Sequence, residues 1–259
     1  MQKVKLLSLN LHCLEEKDIE QNQQIIVSEI IKKDIDVIFL QEVAQLHKNT
    51  IEEGHIKVGN YGYVLQSMLK VLGYDYFYHF EPIKHSFGKY DEGVAILSKH
   101  NIKDLKTGYI SYTKDYYDWR SRKYIKGTVM FGKEFFDLYS VHLGWNDQDE
   151  SYLAQLQKLV ESIDNPNTII GGDFNVRCGD SLYDQTIQLG LIDLYGLNEK
   201  RRFEPTHEDN LDVHKDSSRI DYIFATKQYE ITDQNILFKR PKVSDHYGIY
   251  IEMLLVQEN

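Results

Sequence analysis

The stretch Ile169–Val176, "IIGGDFNV", constrains the fold more than any other part of the sequence. A short apolar run typical of a buried strand ends in two glycines, and Asp173 and Asn175 follow at alternate positions. Gly, Asp and Asn are common turn residues, so one interpretation is a strand followed by a turn. Alternate residues of an extended chain share a face, so the two polar side chains can also hold a ligand together. This stretch alone does not decide between the two interpretations.

Predicted strands and helices alternate along the chain around this stretch. Apolar residues at helical spacing predict helices over 18–33 and 149–163, and a third helix over 61–72 ends near Gly73. Gly132 and Lys133 are typical of a hairpin turn. Strands are predicted over 3–11, 36–40, 74–81, 93–98, 124–131, 135–143, within 167–174, and over 218–225, 231–238 and 247–256. Mixed strand pairs with interspersed helices favour two packed sheets with helices outside.

The composition is that of an ordinary globular protein. Of 259 residues, 42% are hydrophobic and 27% are charged, and with only 4 prolines and no low-complexity segment we expect a single domain over 1–259. The chain has no apolar run of about 20 residues that would cross a membrane, and its first residues are too quickly polar for a signal peptide. Cys13 and Cys178 lack metal-type spacing, so we expect a reduced, cytoplasmic protein, although a disulfide between them stays open.

The formal net charge of −10 bears on possible partners. Extended duplex binding usually requires a basic surface, so this charge disfavours it. Phosphate substrates remain compatible, since a divalent cation in the site supplies positive charge.

Several predicted strands end in acid, amide or histidine residues. Taken singly, each has a plain explanation as a solvated, capping or core residue. Taken together, they favour a metal-dependent hydrolase, because α/β proteins gather ligands and catalytic groups at strand ends. Oxygen donors without a cysteine cluster fit Mg²⁺ or Mn²⁺ better than zinc. These residues are Asn10, Glu42, His142, Asp173, Asn175, Asp221, Asp245 and His246.

The ordered set of motifs resembles the endonuclease/exonuclease/phosphatase superfamily over almost the whole chain. The motifs are Asn10, "LQE" at 40–42, "DEGVAILS" at 91–98, "VHL" at 141–143, "GGDFN" at 171–175, "RIDYIF" at 219–224 and "SDH" at 244–246. The resemblance implies a DNase-I-like four-layer α/β/β/α sandwich of two mixed sheets flanked by helices, and metal-dependent cleavage of phosphoesters. "YDEGVAILS", "VHLGW" and "YYDWRSRK" further resemble a bacterial group called RgfB-like.

The resemblance also implies roles for the metal ligands and for the water. Glu42 is expected to be the main metal carboxylate, with Asn10 beside it and Asp245 as a further ligand, direct or through water. Asp173 and Asn175 are expected to orient the attacking water and the scissile phosphate.

The resemblance pairs His246 with Asp221 and His142 with Glu92. A carboxylate beside a histidine stabilises the imidazolium and fixes its tautomer, which suits charge stabilisation and proton transfer. Whether Asp173 or a histidine–carboxylate pair is the general base stays open.

One position departs from the superfamily pattern. His12 stands where some nucleases of the superfamily have an aspartate, and two interpretations stay open, a polar site residue or a residue that faces the core.

The segment 115–124, "DYYDWRSRKY", offers substrate contacts. Arg122, in preference to Arg120, is expected to reach a nonbridging phosphate oxygen, because Arg binds phosphate in a bidentate way and superfamily members often have an Arg before this strand. Trp119, Trp145 and Tyr90 are candidates for the wall of a substrate pocket, and packing is the alternative for each.

The favoured function is therefore a metal-dependent phosphoester hydrolase, more specifically a phosphodiesterase, acting as a monomer on a small molecule, a head group or a short nucleic acid. The alternatives are a sequence-nonspecific nuclease, a sphingomyelinase-like lipid phosphodiesterase and a non-enzymatic regulatory module. A leader and a hydrophobic hairpin, usual in secreted sphingomyelinases, are not found. The complete catalytic set argues against the regulatory module. "LQEVAQ" lacks the lysine of the abasic-site endonucleases, and "SSRIDYIF" lacks the inositol phosphatase motif.

Overall fold

A computed structural model of the protein describes residues 2–146, 149–207 and 217–255. The side chain of Cys13 lies outside this description, and Cys178 is a free thiol. None of the helices in the described part of the chain is long and apolar enough to cross a membrane.

The structure contains four α-helices and fourteen strands in the described residues. The helices are α1 (Ile19–Lys33), α2 (Tyr61–Val71), α3 (Tyr152–Glu161) and α4 (Ser181–Gln188). The strands are β1 (Gln2–Asn10), β2 (Val37–Leu46), β3 (Ile51–Glu53), β4 (Ile56–Lys57), β5 (Phe77–Ser86), β6 (Tyr90–Ser98), β7 (Lys103–Tyr109), β8 (Lys123–Phe131), β9 (Glu134–His142), β10 (Thr168–Asp173), β11 (Ile192–Asp193), β12 (Asp221–Ala225), β13 (Glu230–Leu237) and β14 (Gly248–Leu255).

Two six-stranded mixed sheets form the centre of the fold. Their strand orders are β13-β14-β1-β2-β6-β5 and β11-β12-β10-β9-β8-β7. Within them β1 pairs with β2, and β9 with β10, in parallel, whereas the other pairs are antiparallel. Successive strand residues point to opposite faces, so each sheet contributes one apolar face to the centre and one to the helices.

Three apolar clusters fill the spaces between four layers. The inner cluster lies between the two sheets and contains Phe39 from the first and Leu138 from the second. A second cluster packs α1 and α2 on the first sheet, through residues such as Ile30 and Leu65. A third packs α3 and α4 on the second sheet, with Leu156 among its members. The expected four-layer sandwich is therefore confirmed, while the single domain over 1–259 stays a prediction.

The two glycines of the opening stretch allow the layers to approach closely. A Cβ on Gly171 would lie 2.2 Å from Phe39 Cδ2 of the other sheet, and one on Gly172 would lie 2.3 Å from the carbonyl oxygen of Val141. Both distances are shorter than any real contact, so a side chain here would separate β10 from its neighbours. The glycines thus allow close packing and also lie near the end of the strand.

Most predicted elements are present with shifted ends, and a few were missed. β8 and β9 flank Gly132 and Lys133, which form the predicted hairpin turn. α3 begins at Tyr152 instead of 149, because Ser151 caps it by accepting from the amide of Ala154. The missed elements are β3, β4, β7, α4 and β11.

Candidate active site

The central strands bring most of the predicted site residues to one edge of the sandwich. Asn10 is the last residue of β1, and His142 and Asp173 end the parallel strands β9 and β10 as register partners. Asp221 opens β12 opposite Asp173, and His246 lies just before β14, which runs antiparallel to β1. Parallel strands present their carboxyl ends at the same edge, so this topology explains the convergence of distant motifs.

A bulge in β2 turns Glu42 into the same site. The register of β2 with β6 shifts between Leu40 and Val43, and Glu42 has a φ of 49°. Its Oε1 accepts a hydrogen bond from Asn10 Nδ2 at 3.0 Å. Bulges often re-aim a side chain in this way, and positive φ is uncommon for a residue other than glycine.

Asp173 lies at the centre of the cluster and is 1% exposed. Its Oδ1 accepts from the backbone amide of Asn175 at 2.8 Å, and its Oδ2 accepts from Asn10 Nδ2 at 3.1 Å. The same Oδ2 lies 3.6 Å from His142 Nε2 and 3.8 Å from His246 Nε2. One carboxylate oxygen therefore faces both histidines.

The two histidines differ in charge. His246 Nδ1 lies 2.9 Å from Asp221 Oδ2, as expected for this pair, and although burial acts in the opposite direction, the charge and hydrogen bond of Asp221 raise the pKa of His246 to about 10. Burial and then the charge of Arg122 lower the pKa of His142 well below its ordinary value. Burial and the charge of Asp221 raise the pKa of Asp173 to about 7. At neutral pH the site thus combines an imidazolium with a neutral imidazole.

The hydrogen bonds of Asn175 fix the tautomer of His142. Asn175 Nδ2 donates to the carbonyl oxygen of Leu143 at 2.8 Å, and this contact determines the orientation of the amide, because a carbonyl only accepts. The same Nδ2 lies 3.1 Å from His142 Nε2, which must therefore accept and leave the proton on Nδ1. Asn175 has used both amide hydrogens, so its Oδ1 is the atom left for a ligand.

The oxygen donors around Glu42 fit a divalent cation. Burial and then the charge of Glu92 raise the pKa of Glu42, while the hydrogen bond from Asn10 and the positive charges of Lys84 and His246 oppose this effect. Asn10 donates to Glu42 through Nδ2 while its Oδ1 accepts from the amide of His12 at 3.0 Å, so it orients Glu42. A cation that Glu42 binds would offset the buried negative charge.

Arg122 is a buried guanidinium, 4% exposed, near Glu92 and Glu42. Its Nη1 donates to the carbonyl oxygens of Trp119 at 2.7 Å and Ser121 at 3.0 Å. Its Nε has no hydrogen-bond partner among the described residues. Burial lowers the pKa of Arg122, while the negative charges of Glu92 and then Glu42 oppose this effect, which places the guanidinium beside the acidic centre.

Glu92 does not pair with His142, contrary to the sequence prediction. Its Oε2 accepts from Ser86 Oγ at 2.6 Å, and its Oε1 lies 3.1 Å from Lys84 Nζ. A bulge between Pro82 and Lys84 in β5 brings this lysine opposite Glu92. Ser86 and Lys84 therefore bind the Glu92 carboxylate, which the prediction had paired with His142.

The three aromatic candidates lie in different environments. Trp119 is 60% exposed and Trp145 is 51% exposed. The carbonyl oxygen of Trp119 accepts a hydrogen bond from Arg122. Trp145 follows Gly144, and a Cβ on Gly144 would lie 3.5 Å from Arg122 Nε. Tyr90 is buried in a small cluster with Ala44 and offers little surface to a substrate.

A polar network around Asp91 ties the loop that carries Arg122 to the first sheet. Asp91 Oδ1 accepts from Tyr116 at 2.5 Å and lies 2.6 Å from His47 Nδ1, and Oδ2 accepts from Lys57 at 2.7 Å. Burial acts in the opposite direction, but these hydrogen bonds hold the pKa of Asp91 at about 2. The network fixes the start of the 115–122 loop.

Asp245 lies beside the centre, and its described side-chain contacts are Ser244 and two histidines and not Glu42. Its Oδ1 is 3.7 Å from His12 Nδ1, and its Oδ2 is 3.9 Å from His207 Nε2. The site thus contains three residues that the sequence reasoning missed, Lys84, Glu16 and His207. The spacing of His12 and Glu16, four residues apart, is the one local signal that points to any of them. His12 therefore faces the site and not the core.

Comparisons with known proteins bear on the family of this chain. The Endonuclease/Exonuclease/phosphatase family model matches residues 7–246. A solved structure of an endonuclease/exonuclease/phosphatase family protein from Leptotrichia buccalis C-1013-b has 30% sequence identity and a TM-score of 0.90, and the match covers 97% of this chain and 100% of that one. No curated protein matches the sequence.

More distant structures share the fold. Bacteroides thetaiotaomicron VPI-5482 mannosyl-6-phosphatase Bt3783 has 21% identity and a TM-score of 0.66, over 97% of this chain and 100% of that one. The structure of D. rerio TDP2 complexed with single strand DNA product has 18% identity and a TM-score of 0.69, over 98% and 100% of the two chains. The RgfB-like subgroup stays a prediction. The extent of the family match and the identity to the Leptotrichia protein establish that this chain belongs to the endonuclease/exonuclease/phosphatase family.

Proposed function

We propose that the chain is a divalent-metal-dependent phosphodiesterase. Membership of a family of phosphoester hydrolases supports the reaction class. The observation that carries the proposal is the environment of Asp173 Oδ2, which lies 3.1 Å from Asn10 Nδ2, 3.6 Å from His142 Nε2 and 3.8 Å from His246 Nε2. A buried carboxylate between an amide and two imidazoles suits the positioning of water against a phosphorus atom.

The charged groups have separate roles in this proposal. His246, held as imidazolium by Asp221, donates to a phosphate oxygen and stabilises the charge that develops there. Asp173 and the Oδ1 of Asn175 accept from the attacking water. His142 remains neutral and is held by Asn175 in one tautomer. Mg²⁺ or Mn²⁺ bound by Glu42 would supply Lewis-acid stabilisation of the phosphoryl oxygens.

Arg122 and the two exposed tryptophans define the substrate side of the proposal. The unpaired Nε of Arg122 is a donor for a nonbridging oxygen. Trp119 and Trp145 have exposed side chains, and the Trp119 carbonyl oxygen accepts from Arg122, so we expect an apolar or planar substituent of the phosphodiester to contact their rings. A diester is favoured because a second ester substituent has a surface to bind.

The experiment compares a nitrophenyl diester with the corresponding monoester, with Mg²⁺ or Mn²⁺ present. We expect faster turnover of the diester, loss of activity with chelator and loss of activity in Asp173→Asn. Asp184→Asn is the matched control, because it is the same substitution at an exposed residue of α4. Full activity in Asp173→Asn would refute the assignment. Equal activity in Asp173→Asn and Asp184→Asn would show that the effect is not specific to Asp173.

A nuclease acting on short single strands is the second candidate. The exposed side chains of Trp119 and Trp145 favour it, because bases stack on aromatic rings and a basic duplex-binding surface is not needed. The net charge of −10 disfavours a duplex substrate. Cleavage of a single-stranded oligonucleotide at a rate above that of the nitrophenyl diester would favour this candidate.

A further inference from the structure

Lys84 adds a second cation to the site, beside Arg122. The bulge between Pro82 and Lys84 in β5 places its side chain, which is 11% exposed, opposite Glu92. Its Nζ lies 3.1 Å from Glu92 Oε1 and donates to the carbonyl oxygen of Trp119 at 3.3 Å. Lysine has three N–H donors, so these two contacts, the ones found among the described residues, leave one donor for a ligand.

The two cations converge on one carbonyl oxygen. Arg122 Nη1 donates to the Trp119 carbonyl at 2.7 Å, and Lys84 Nζ donates to the same oxygen. Like charges repel, so this proximity is favourable only where negative charge lies close to both. Glu92 supplies such a charge, because Lys84 holds its pKa below the ordinary value although burial acts in the opposite direction. The charge of Glu92 also acts on Arg122, so one carboxylate serves both cations.

The charges of this group do not cancel. Lys84 and Arg122 carry two positive charges against the single negative charge of Glu92, which leaves one positive charge in excess. A phosphodiester carries one negative charge and therefore matches this excess.

The unpaired donor of Arg122 also points to an anion. The residue is 4% exposed, and its Nε has no hydrogen-bond partner in the part of the chain that the structure describes. A buried donor without a partner is costly and uncommon in folded proteins. A negatively charged oxygen would give this donor a strong hydrogen bond, since charge-assisted bonds to guanidinium are among the strongest.

Lys84 lies close enough to the reacting groups for its charge to act on them. Burial and then the charges of Arg122 and Lys84 lower the pKa of His142. Lys84 also opposes the raised pKa of Glu42, the expected metal carboxylate. A phosphate bound beside His142 and Glu42 would therefore experience the same positive charge.

We propose that Lys84 and Arg122 form a two-cation clamp, oriented by Glu92, that binds the nonbridging oxygens of a phosphodiester. Lys84 is then a substrate-binding residue in addition to Arg122. The clamp rests on the proposed function and deepens it, because its single excess charge suits a phosphate with a single negative charge. Two fixed cations stabilise the charge on these oxygens without rearrangement during the reaction.

The test separates phosphate binding from the neutralisation of Glu92. Lys84→Met removes the ammonium but leaves a buried carboxylate without its partner, which destabilises the fold. The double variant Lys84→Met/Glu92→Gln removes both charges and should recover stability. In both variants we expect the dissociation constant of inorganic phosphate to rise about 10- to 150-fold, because a hydrogen bond from a charged group is lost. Calorimetric titration with phosphate at saturating Mg²⁺ measures this constant.

Lys89→Met is the matched control. The Lys89 side chain is 51% exposed and pairs with Glu15 at 3.2 Å, so its loss should change the dissociation constant by less than about twofold. Wild-type affinity in the double variant would overturn the clamp, because it would show that Lys84 only offsets Glu92. An equal rise in Lys89→Met, or a wild type that does not bind phosphate, would also overturn it.

Failure of the proposed function is separate from failure of the clamp, because the titration does not depend on turnover. If the function fails, the wild type binds phosphate but hydrolyses neither nitrophenyl ester. If only the clamp fails, the wild type hydrolyses the diester while Lys84→Met/Glu92→Gln binds phosphate as tightly as the wild type.

Discussion

Replacing Arg122 by lysine tests the substrate side of the site most directly. The guanidinium is 4% exposed, its Nη1 donates to the carbonyl oxygens of Trp119 and Ser121, and its Nε has no partner in the described part of the chain. Lysine retains the positive charge but lacks the planar fork that binds two oxygens at once. The variant Arg122→Lys therefore removes the directed hydrogen bond while it leaves a cation in place.

The size of the effect follows from the lost hydrogen bond. A hydrogen bond to a charged group contributes about 1.5–3 kcal/mol, and about 1.4 kcal/mol corresponds to a tenfold change in rate. We therefore expect kcat/KM for a nitrophenyl diester to fall about 10- to 150-fold in Arg122→Lys. Measurement of kcat/KM with saturating Mg²⁺, well below the unfolding midpoint of each variant, separates this loss from a loss of folded protein.

Arg120 provides a matched control two residues away. Its guanidinium lies 2.9 Å from Asp118 and 2.7 Å from Asp149, so it is engaged by two other carboxylates. Arg120→Lys should leave kcat/KM within about twofold of the wild type, as is usual for an exposed ion pair. A value for Arg122→Lys within the same twofold range, or equal losses in both variants, would refute the role of Arg122.

Four further results are expected. Gly171→Ala should lower the free energy of unfolding by about 1–3 kcal/mol in urea denaturation, because its Cβ would lie 2.2 Å from Phe39; wild-type stability would contradict this contact. Mg²⁺ should raise the Tm of the wild type, and chelator should reverse the rise; an equal rise in Glu42→Gln would show that the ion binds elsewhere. Asn175→Gly should be about 1 kcal/mol more stable than Asn175→Ala, because φ is 51° at this position; equal unfolding midpoints would argue against backbone strain. The pKa of Asp91 is about 2, below its ordinary value of 3.8, so its contribution to stability is complete above about pH 4 and is lost as the pH falls through 2; acid titration of Asp91→Asn should lack this component.

The strand-end motifs were accessible from the sequence because they are local. An apolar run followed by Asp173 and Asn175 predicts both the buried strand and the polar residues at its end. The topology then brings Asp173 opposite His142 and Asp221, as neighbours in register. The pairing of His246 with Asp221 is confirmed at 2.9 Å.

Side-chain partners across bulges were not accessible from the sequence. Lys84 faces Glu92 only because the register of β5 shifts between Pro82 and Lys84, and a shift of one residue turns a side chain to the other face. The sequence prediction ended this strand at 81 and so did not include Lys84, while the family resemblance implied the pairing of Glu92 with His142. A bulge leaves no periodic signal, since its effect depends on the neighbouring strand.

Two missed elements lack the apolar periodicity on which the predictions depended. β7, Lys103–Tyr109, is an edge strand with its first five residues exposed, and charged edge strands discourage pairing with other chains. α4, Ser181–Gln188, buries only Tyr183 and Thr186 and is eight residues long. Neither element presents the repeated apolar face that distinguishes a strand or helix from a loop.

Three residues with positive φ lie where the central strands enter the site. His12, Glu42 and Asn175 have φ values of 49°, 49° and 51°, a conformation that costs a non-glycine residue roughly 1–2 kcal/mol. Each follows or interrupts a buried strand, so the packed sheets can hold it in this conformation. "IIGGDFNV" combines close packing with a positioned polar group. Gly171 and Gly172 allow close packing of the strand, and the turn at Asn175 then directs its amide onto His142. The turn and the ligand-binding interpretations of this stretch therefore describe the same structure, since the strained turn is what positions the polar groups.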